Sequence, residues 1–386
     1  MGIYSDYLNK GMSFDDLSKA RKEQLKIIST LRGQRDIIVY ASDITNRSNA
    51  PVAIDFSDIL PFQDQLSNLN GEAIDVILET GGGIAEVVED MVRLLRSKYK
   101  YIGIIIPGTA KSAGTIFSMA ADEILMGNAS SLGPIDAQII TPTKRFSADA
   151  FLEGLEKIKS DVLETGRLNP AYIPILQNIS PGEIQSYENA QNFSRTLVTQ
   201  WLSQYKFASW VKHSSTGKIV SQSEKELQAK KIANKLCKHS DWLTHGRSIP
   251  ISELEEMGLQ ITNYTNIDAL NEAITRYYTL LKMSFESTNL YKLFETTSTQ
   301  ILRFAINNNP APVSNEVKNA NVDVECPNCK TKYVFQIKLS PEVKNDENKI
   351  QYPQNDIFIC KSCQMNINLA PLRMQVESQT GKKIVA

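Results

Sequence analysis

Residues 75–138 read DVILETGGGIAEVVEDMVRLLRSKYKYIGIIIPGTAKSAGTIFSMAADEILMGNASSLGPIDAQ. An apolar run, Val76 to Leu78, ends at Glu79-Thr80 and three glycines, Gly81, Gly82 and Gly83. A helical pattern follows, with Ile84, Val87, Val88, Met91, Leu94 and Leu95 on one face, the side that covers a sheet. A second apolar run, Tyr101 to Ile106, ends in Pro107-Gly108 and leads into Ala110-Lys111-Ser112-Ala113-Gly114. A third, Ala121 to Met126, ends at Gly127. This βαβ rhythm predicts an α/β fold with parallel strands and a right-handed crossover. Ser112 lies between small residues at a strand-to-helix turn, where a hydroxyl is uncrowded and the next N–H lies beside it.

Working outward, residues 14–32 alternate apolar and charged positions as a surface helix does. Ile37 to Tyr40 reads as a buried first strand. Residues 41–57 read as a loop and 56–69 as a helix. Residues 147–211 turn helical, with a start at Ser180 as N-cap, Pro181 first in the helix and Glu183 at the capping-box position. Further helices are expected over 223–239 and, after a loop, in a short segment before Leu259. The stretch 266–293 reads as a helix or helix pair continuing weakly to Ile306. Residues 307–321 are polar and proline-bearing, as linkers are. The expected organisation is an N-terminal helical segment (1–33), an α/β domain (34–306), a linker (307–321) and a small C-terminal unit (322–386).

The 386 residues exceed one average domain, and a formal net charge of -1 argues against a protein built to coat nucleic acid or an anionic membrane. No apolar run approaches the roughly 20 residues that span a bilayer. The N-terminus shows no signal-peptide pattern, so a cytoplasmic location is the default expectation. Four of the five cysteines agree with it, because they form two C-x-x-C pairs, Cys326/Cys329 and Cys360/Cys363, better suited to a metal than to disulfides. Two such knuckles complete a tetrahedral four-thiolate site with no open position, so a structural zinc in a zinc ribbon is expected. A tail this small has too little core to stay folded without a staple. Its strands are expected at Tyr333–Ile337 and 356–359. Its balanced charge does not indicate a nucleic-acid surface, although a zinc ribbon allows one. Cys237 sits in a helical pattern and reads as core.

A serine nucleophile needs a base, an orienting acid and N–H donors for the oxyanion. Gly82 and Ala113 are placed to donate through their backbone. Of the three histidines, His213 lies in a polar stretch and reads as a surface residue. His239 reads as the end of a helix, where complementing the dipole is role enough. His245, in the polar loop Thr244-His245-Gly246-Arg247, is the best candidate base.

Glycine turn, helix, strand and small-Ser-Ala-Gly together resemble the Clp protease and signal-peptide-peptidase superfamily, which shares the crotonase-like fold. Gly133-Pro134-Ile135-Asp136-Ala137-Gln138 and the later His245-Gly246-Arg247 resemble the serine dehydrogenase proteinase family over about residues 20–300. That resemblance implies a Clp/crotonase-like βαβ spiral with helical additions and a serine peptidase with a reordered triad. Ser112 is then the nucleophile, Asp136 the acid and His245 the base. It also implies protein or peptide substrates and a homo-oligomer, whereas the family's frequent membrane segment is not carried over. Three alternatives remain open. In a Ser-Lys dyad the base would be sought among Lys111, Lys144, Lys157 and Lys159. An inactive scaffold would use its zinc ribbon to bind a partner. A coenzyme-A enzyme would need the glycine turn but no serine–histidine pair.

Overall fold

A computed structural model describes residues 2–45, 50–140, 145–213, 216–244, 246–305, 318–380 and 382–385. It divides into two compact units, Met1–Ala305 and Ile306–Ala386.

In chain order the strands of the first unit are β1 (Asp36–Ser42), β2 (Ala73–Glu79), β3 (Tyr101–Ile106), β4 (Thr109–Ala110), β5 (Glu123–Met126), β6 (Ser131–Leu132), β7 (Gln138–Ile140), β8 (Arg145–Ser147), β9 (Thr262–Asn263), β10 (Leu290–Thr296) and β11 (Gln300–Phe304). Seven of them form one sheet in the order β11-β10-β1-β2-β3-β5-β9. Pairing is parallel from β1 through β2, β3 and β5 to β9. It is antiparallel at β1–β10 and β10–β11.

The helices are α1 (Ile3–Asn9), α2 (Phe14–Leu31), α3 (Ile59–Ser67), α4 (Ala85–Lys98), α5 (Ala113–Met119), α6 (Ala148–Thr165), α7 (Ile173–Leu176), α8 (Pro181–Trp201), α9 (Gln222–Leu236), α10 (His239–Trp242), α11 (Ile251–Glu256) and α12 (Asp268–Glu286). Alternate residues of each central strand enter opposite cores. Ile38, Tyr40, Val76, Leu78, Ile104 and Ile106 pack with α3, α4 and α5. Ile37, Val39, Ile77 and Ile105 meet α2 and α12 on the other face. Burial on both faces is why these strands read as unbroken apolar runs. The α/β fold expected from the sequence is the one observed, and the Ser180 capping box opens α8 as expected.

Two expectations are corrected. Residues 290–304 are not a weak continuation of a helix but the β10–β11 hairpin. Its turn carries Thr296, Thr297, Ser298 and Thr299, and the Thr296 hydroxyl accepts from the N–H of Ser298 (3.3 Å) and Thr299 (3.0 Å). That local bonding and β-branching favour a turn between strands over a helix interior. Helix α2 also does more than cover the surface. Its Arg21 is fully buried and donates from Nε to Glu295 on β10 at 3.1 Å.

In the second unit, β12 (Asn319–Glu325) pairs antiparallel with β13 (Lys332–Lys338), and β14 (Ile350–Gln351) runs parallel to β13. A second hairpin joins β15 (Ile357–Ile359) to β16 (Asn366–Asn368), and α13 (Ala370–Thr380) follows. β12 begins inside the stretch that reads as linker; residues 306–317 lie outside the described ones. Phe335, Ile337, Tyr352, Phe358 and Leu369 make a separate small core around the cysteines.

Candidate active site and metal centre

The site forms where the parallel strands end, the usual place for a crevice in an α/β sheet. β2 runs out at Glu79 into Thr80 and the glycine turn. β3 runs out at Ile106, and after β4 the chain reaches Ser112. The two exits are tied together: Thr80 N–H donates to Thr109 O at 2.8 Å, and Lys111 N–H to Thr80 O at 3.0 Å. Ser112 then turns sharply into α5 with φ 51° and ψ −114°. A non-glycine residue there stores strain of about 1–3 kcal/mol, which persists only where the surroundings impose it. The glycine turn is packed directly against Ser112. Gly82 lies so close that a Cβ on it would stand 2.7 Å from both Lys111 O and Ser112 Cβ.

Ser112, Gly82, Ala113 and Asp136 all line one cleft of about 710 Å³. Ile84, Ile116, Ile135, Ile139 and Phe193 supply apolar walls. Four of the five residues singled out for catalysis are therefore brought to one place. The fifth, His245, lies outside the described residues. Its neighbours do not: Lys111 Nζ donates to Gly246 O and, at 3.1 Å, to Ser248 Oγ, while Ile249 N–H donates to Leu132 O at 2.9 Å. The 246–249 segment thus meets the turn that carries Ser112.

Ala113 opens α5, where no carbonyl four residues back closes a helical bond to its N–H. The Gly82 N–H has a partner in this state, Thr80 Oγ1 at 3.1 Å. A developing oxyanion is a stronger acceptor than a neutral hydroxyl, so it is able to draw that donor away.

Asp136 is almost wholly buried and well held. Its Oδ1 accepts from Ser147 Oγ at 2.6 Å. Its Oδ2 accepts from Gln138 Nε2 at 2.7 Å and lies 3.0 Å from His239 Nδ1. The reading of His239 as a helix terminus with no further role is thus corrected. α9 stops at Leu236, and His239 opens α10 with its ring on the carboxylate. Gln138 was visible in the Gly-Pro-Ile-Asp-x-Gln motif; His239 carried no local signal. His213 pairs with Glu224 at 3.0 Å, away from the cleft, as its polar surroundings suggest.

Among the lysines, Lys111 spends its Nζ on Gly246 and Ser248, and burial lowers its pKa from the ordinary lysine value. Lys157 is exposed and Lys159 pairs with Glu156 at 3.2 Å. Lys144 lies outside the described residues. Burial pushes the Cys237 thiol up to about 12, which leaves it inert.

In the second unit the sulfurs of Cys326, Cys329, Cys360 and Cys363 lie within 4.8 Å of one another. Cys326–Cys363 and Cys329–Cys360 are 3.7 and 3.5 Å apart. Four thiolates about 2.3 Å from a tetrahedral ion stand about 3.8 Å apart, so the cluster fits such an ion with little movement. The two knuckles are alike. Lys330 N–H returns to Cys326 O (3.0 Å) and Gln364 N–H to Cys360 O (2.9 Å), and both residues sit at φ 62°. The Tyr333 hydroxyl, 3.1 Å from Cys360 Sγ, favours its thiolate and draws it down to about 6.

Residues 55–179 match the family of ClpP-like SDH-type serine proteinases. Two uncharacterised proteins of Methanocaldococcus jannaschii are 27% identical over 194 residues and 26% identical over 188. Those stretches are 50% and 49% of this chain, and the chain spans 53% of the length of each of these relatives. Among solved structures, a membrane-bound stomatin-specific protease aligns at 14% identity and a TM-score of 0.33, covering 57% of this chain and 79% of its own. A probable enoyl-CoA hydratase/isomerase from Mycobacterium abscessus aligns at 14% identity and 0.27, covering 64% and 81%. Among the described residues no helix is long and apolar enough to cross a membrane.

Proposed function

We propose that the chain hydrolyses peptide bonds in protein or peptide substrates with Ser112 as nucleophile, His245 as base and Asp136 as the acid that orients it. The observation that carries this reading is the strained Ser112 sharing one cleft with Asp136 and the glycine turn. Support for His245 comes from the bonds of Lys111 to Gly246 and Ser248, which bring its loop to the nucleophile's turn.

In this reaction His245 takes the Ser112 proton as Oγ attacks the carbonyl carbon. The oxyanion collects N–H bonds from Ala113 and from Gly82 as it leaves Thr80. Exchanging a weaker bond for a charge-assisted one in the transition state is the differential binding that lowers a barrier. The C–N bond then breaks, and the amine departs with the proton held by His245. Water, deprotonated by the same imidazole, hydrolyses the acyl ester and regenerates Ser112.

The four thiolates hold a structural zinc, with no position left for substrate. The protein assembles as a homo-oligomer, as the superfamily resemblance implies.

A fluorophosphonate probe tests the centre. It is expected to label the folded protein at Ser112, with labelling and hydrolysis lost in Ser112→Ala and His245→Ala and kept in Lys144→Ala and Lys157→Ala. Failure of the folded wild-type protein to label supports the inactive scaffold instead. Loss in Lys144→Ala with activity kept in His245→Ala would replace the triad by a Ser-Lys dyad.

A further inference from the structure

We propose that His239 is a positioning residue for this reaction, holding the Asp136 carboxylate where it can act on the base. The inference rests on the serine-peptidase reading above. Asp136 sits between β6 and β7, outside any ladder; backbone bonds on either side of it, Ile135 N–H to Leu236 O at 2.9 Å and Ala148 N–H to Ala137 O at 2.8 Å, bring the end of α9 and the start of α6 against it. The carboxylate is then set by its donors. The Ser147 hydroxyl, N-cap of α6, accepts from Ala150 N–H at 3.1 Å and so spends its own proton on Asp136 Oδ1. Gln138 donates to Oδ2 from the start of β7, two residues along the chain. His239 also reaches Oδ2, but from a different element. Because its partner there is a carboxylate, Nδ1 must carry the proton.

His239 is itself anchored. Its backbone N–H donates to Asp149 Oδ2 at 2.7 Å. Asp149 in turn is bound by Gln191 and lies 3.7 Å from Arg195, both on α8. The ring is therefore a strut from the α6–α8 pair to the acid of the cleft. Asp136 lines the cleft and His239 does not, so the histidine acts through the aspartate.

The test compares His239→Ala with His239→Asn, whose amide can supply a donor near the Nδ1 position. Partners of this kind, one bond removed from the chemistry, cost about 10–100-fold when removed. His239→Ala is expected to lower kcat on a fluorogenic peptide by that factor with KM within about threefold, and to slow fluorophosphonate labelling in step. His239→Asn is expected to recover most of the loss, with both variants folded by circular dichroism. Native kcat in His239→Ala overturns the proposal, as does an Asn variant no better than Ala. A loss of about 10⁴-fold in both, the size expected for removing a triad member, also overturns it by making His239 the base. Hydrolysis that survives Ser112→Ala is a different result: it refutes the peptidase reading itself and leaves His239 nothing to position.

Discussion

Gly82→Ala puts the glycine turn and the nucleophile into direct conflict. Gly82 sits at φ 104°, and a Cβ there would stand 2.7 Å from Lys111 O, 2.7 Å from Ser112 Cβ and 3.2 Å from Ala113 N. Those partners are backbone atoms and a Cβ, so no change of rotamer relieves the overlap. Ordinary contact begins at about 3.5 Å, so the turn must retreat from Ser112 by close to 1 Å. The unfavourable φ adds about 1–3 kcal/mol. A retreat of that size takes the Gly82 N–H away from the carbonyl, and removal of one oxyanion donor costs about 10²–10³ in kcat. The companion variant is Gly154→Ala in α6, where nothing lies within 4 Å of the added methyl. It should leave kcat unchanged and stabilise the helix by about 0.5–1 kcal/mol. The assay is kcat on a fluorogenic peptide with the rate of fluorophosphonate labelling, and thermal melting to confirm folding. A folded Gly82→Ala protein labelled within about twofold of the native rate would refute the reasoning, because the turn would then serve packing alone.

Two further outcomes follow from groups outside the cleft. Chelation should release one zinc per chain and unfold the Ile306–Ala386 unit, since structural zinc of this kind supplies about 10–16 kcal/mol. Metal analysis and limited proteolysis read this out; a tail that stays protected without metal would show that its small core suffices. Lys206 is buried beneath Asp122 and Glu123, and burial pulls its ammonium down to about 8. Between about pH 8 and 10.5 the unfolded chain binds more protons at this residue than the folded one, so its penalty is full below pH 8 and fades as pH rises. Lys206→Met should therefore stabilise the protein at pH 7, by at most about 3 kcal/mol, with the gain shrinking by pH 10. Urea denaturation at the two pH values checks it, and a gain that does not shrink would assign the effect to packing rather than charge.

The parts of the fold legible in the sequence are those whose environment is uniform along the chain. β1, β2 and β3 are buried on both faces, so composition alone marks them, and the glycine turn shows because only glycine fits against Lys111 and Ser112. The β10–β11 hairpin was hidden because its inner strand pairs on both sides and loses the alternation that marks a half-buried strand. What was hidden in the site is of another kind. His239 meets Asp136 across 103 residues, through a contact set by the end of α9 and the packing of α6 on α8. No spacing rule reaches that far, and a histidine near a helix end has an adequate local explanation. Asp136 is the opposite case. A carboxylate taken out of water needs donors, and the motif around it supplies one in Gln138. A buried acid with an incomplete local set of donors implies that others arrive from distant elements, and here Ser147 and His239 do so. The same reasoning bears on Ser112. Its positive φ stands against a non-local neighbour, the turn at Gly82, which approaches too closely to carry a side chain. Nucleophile and acid are thus both packed against residues from other parts of the chain; the supports that carry their own motif, the glycine turn and Gln138, could be read from the sequence, whereas His239 could not.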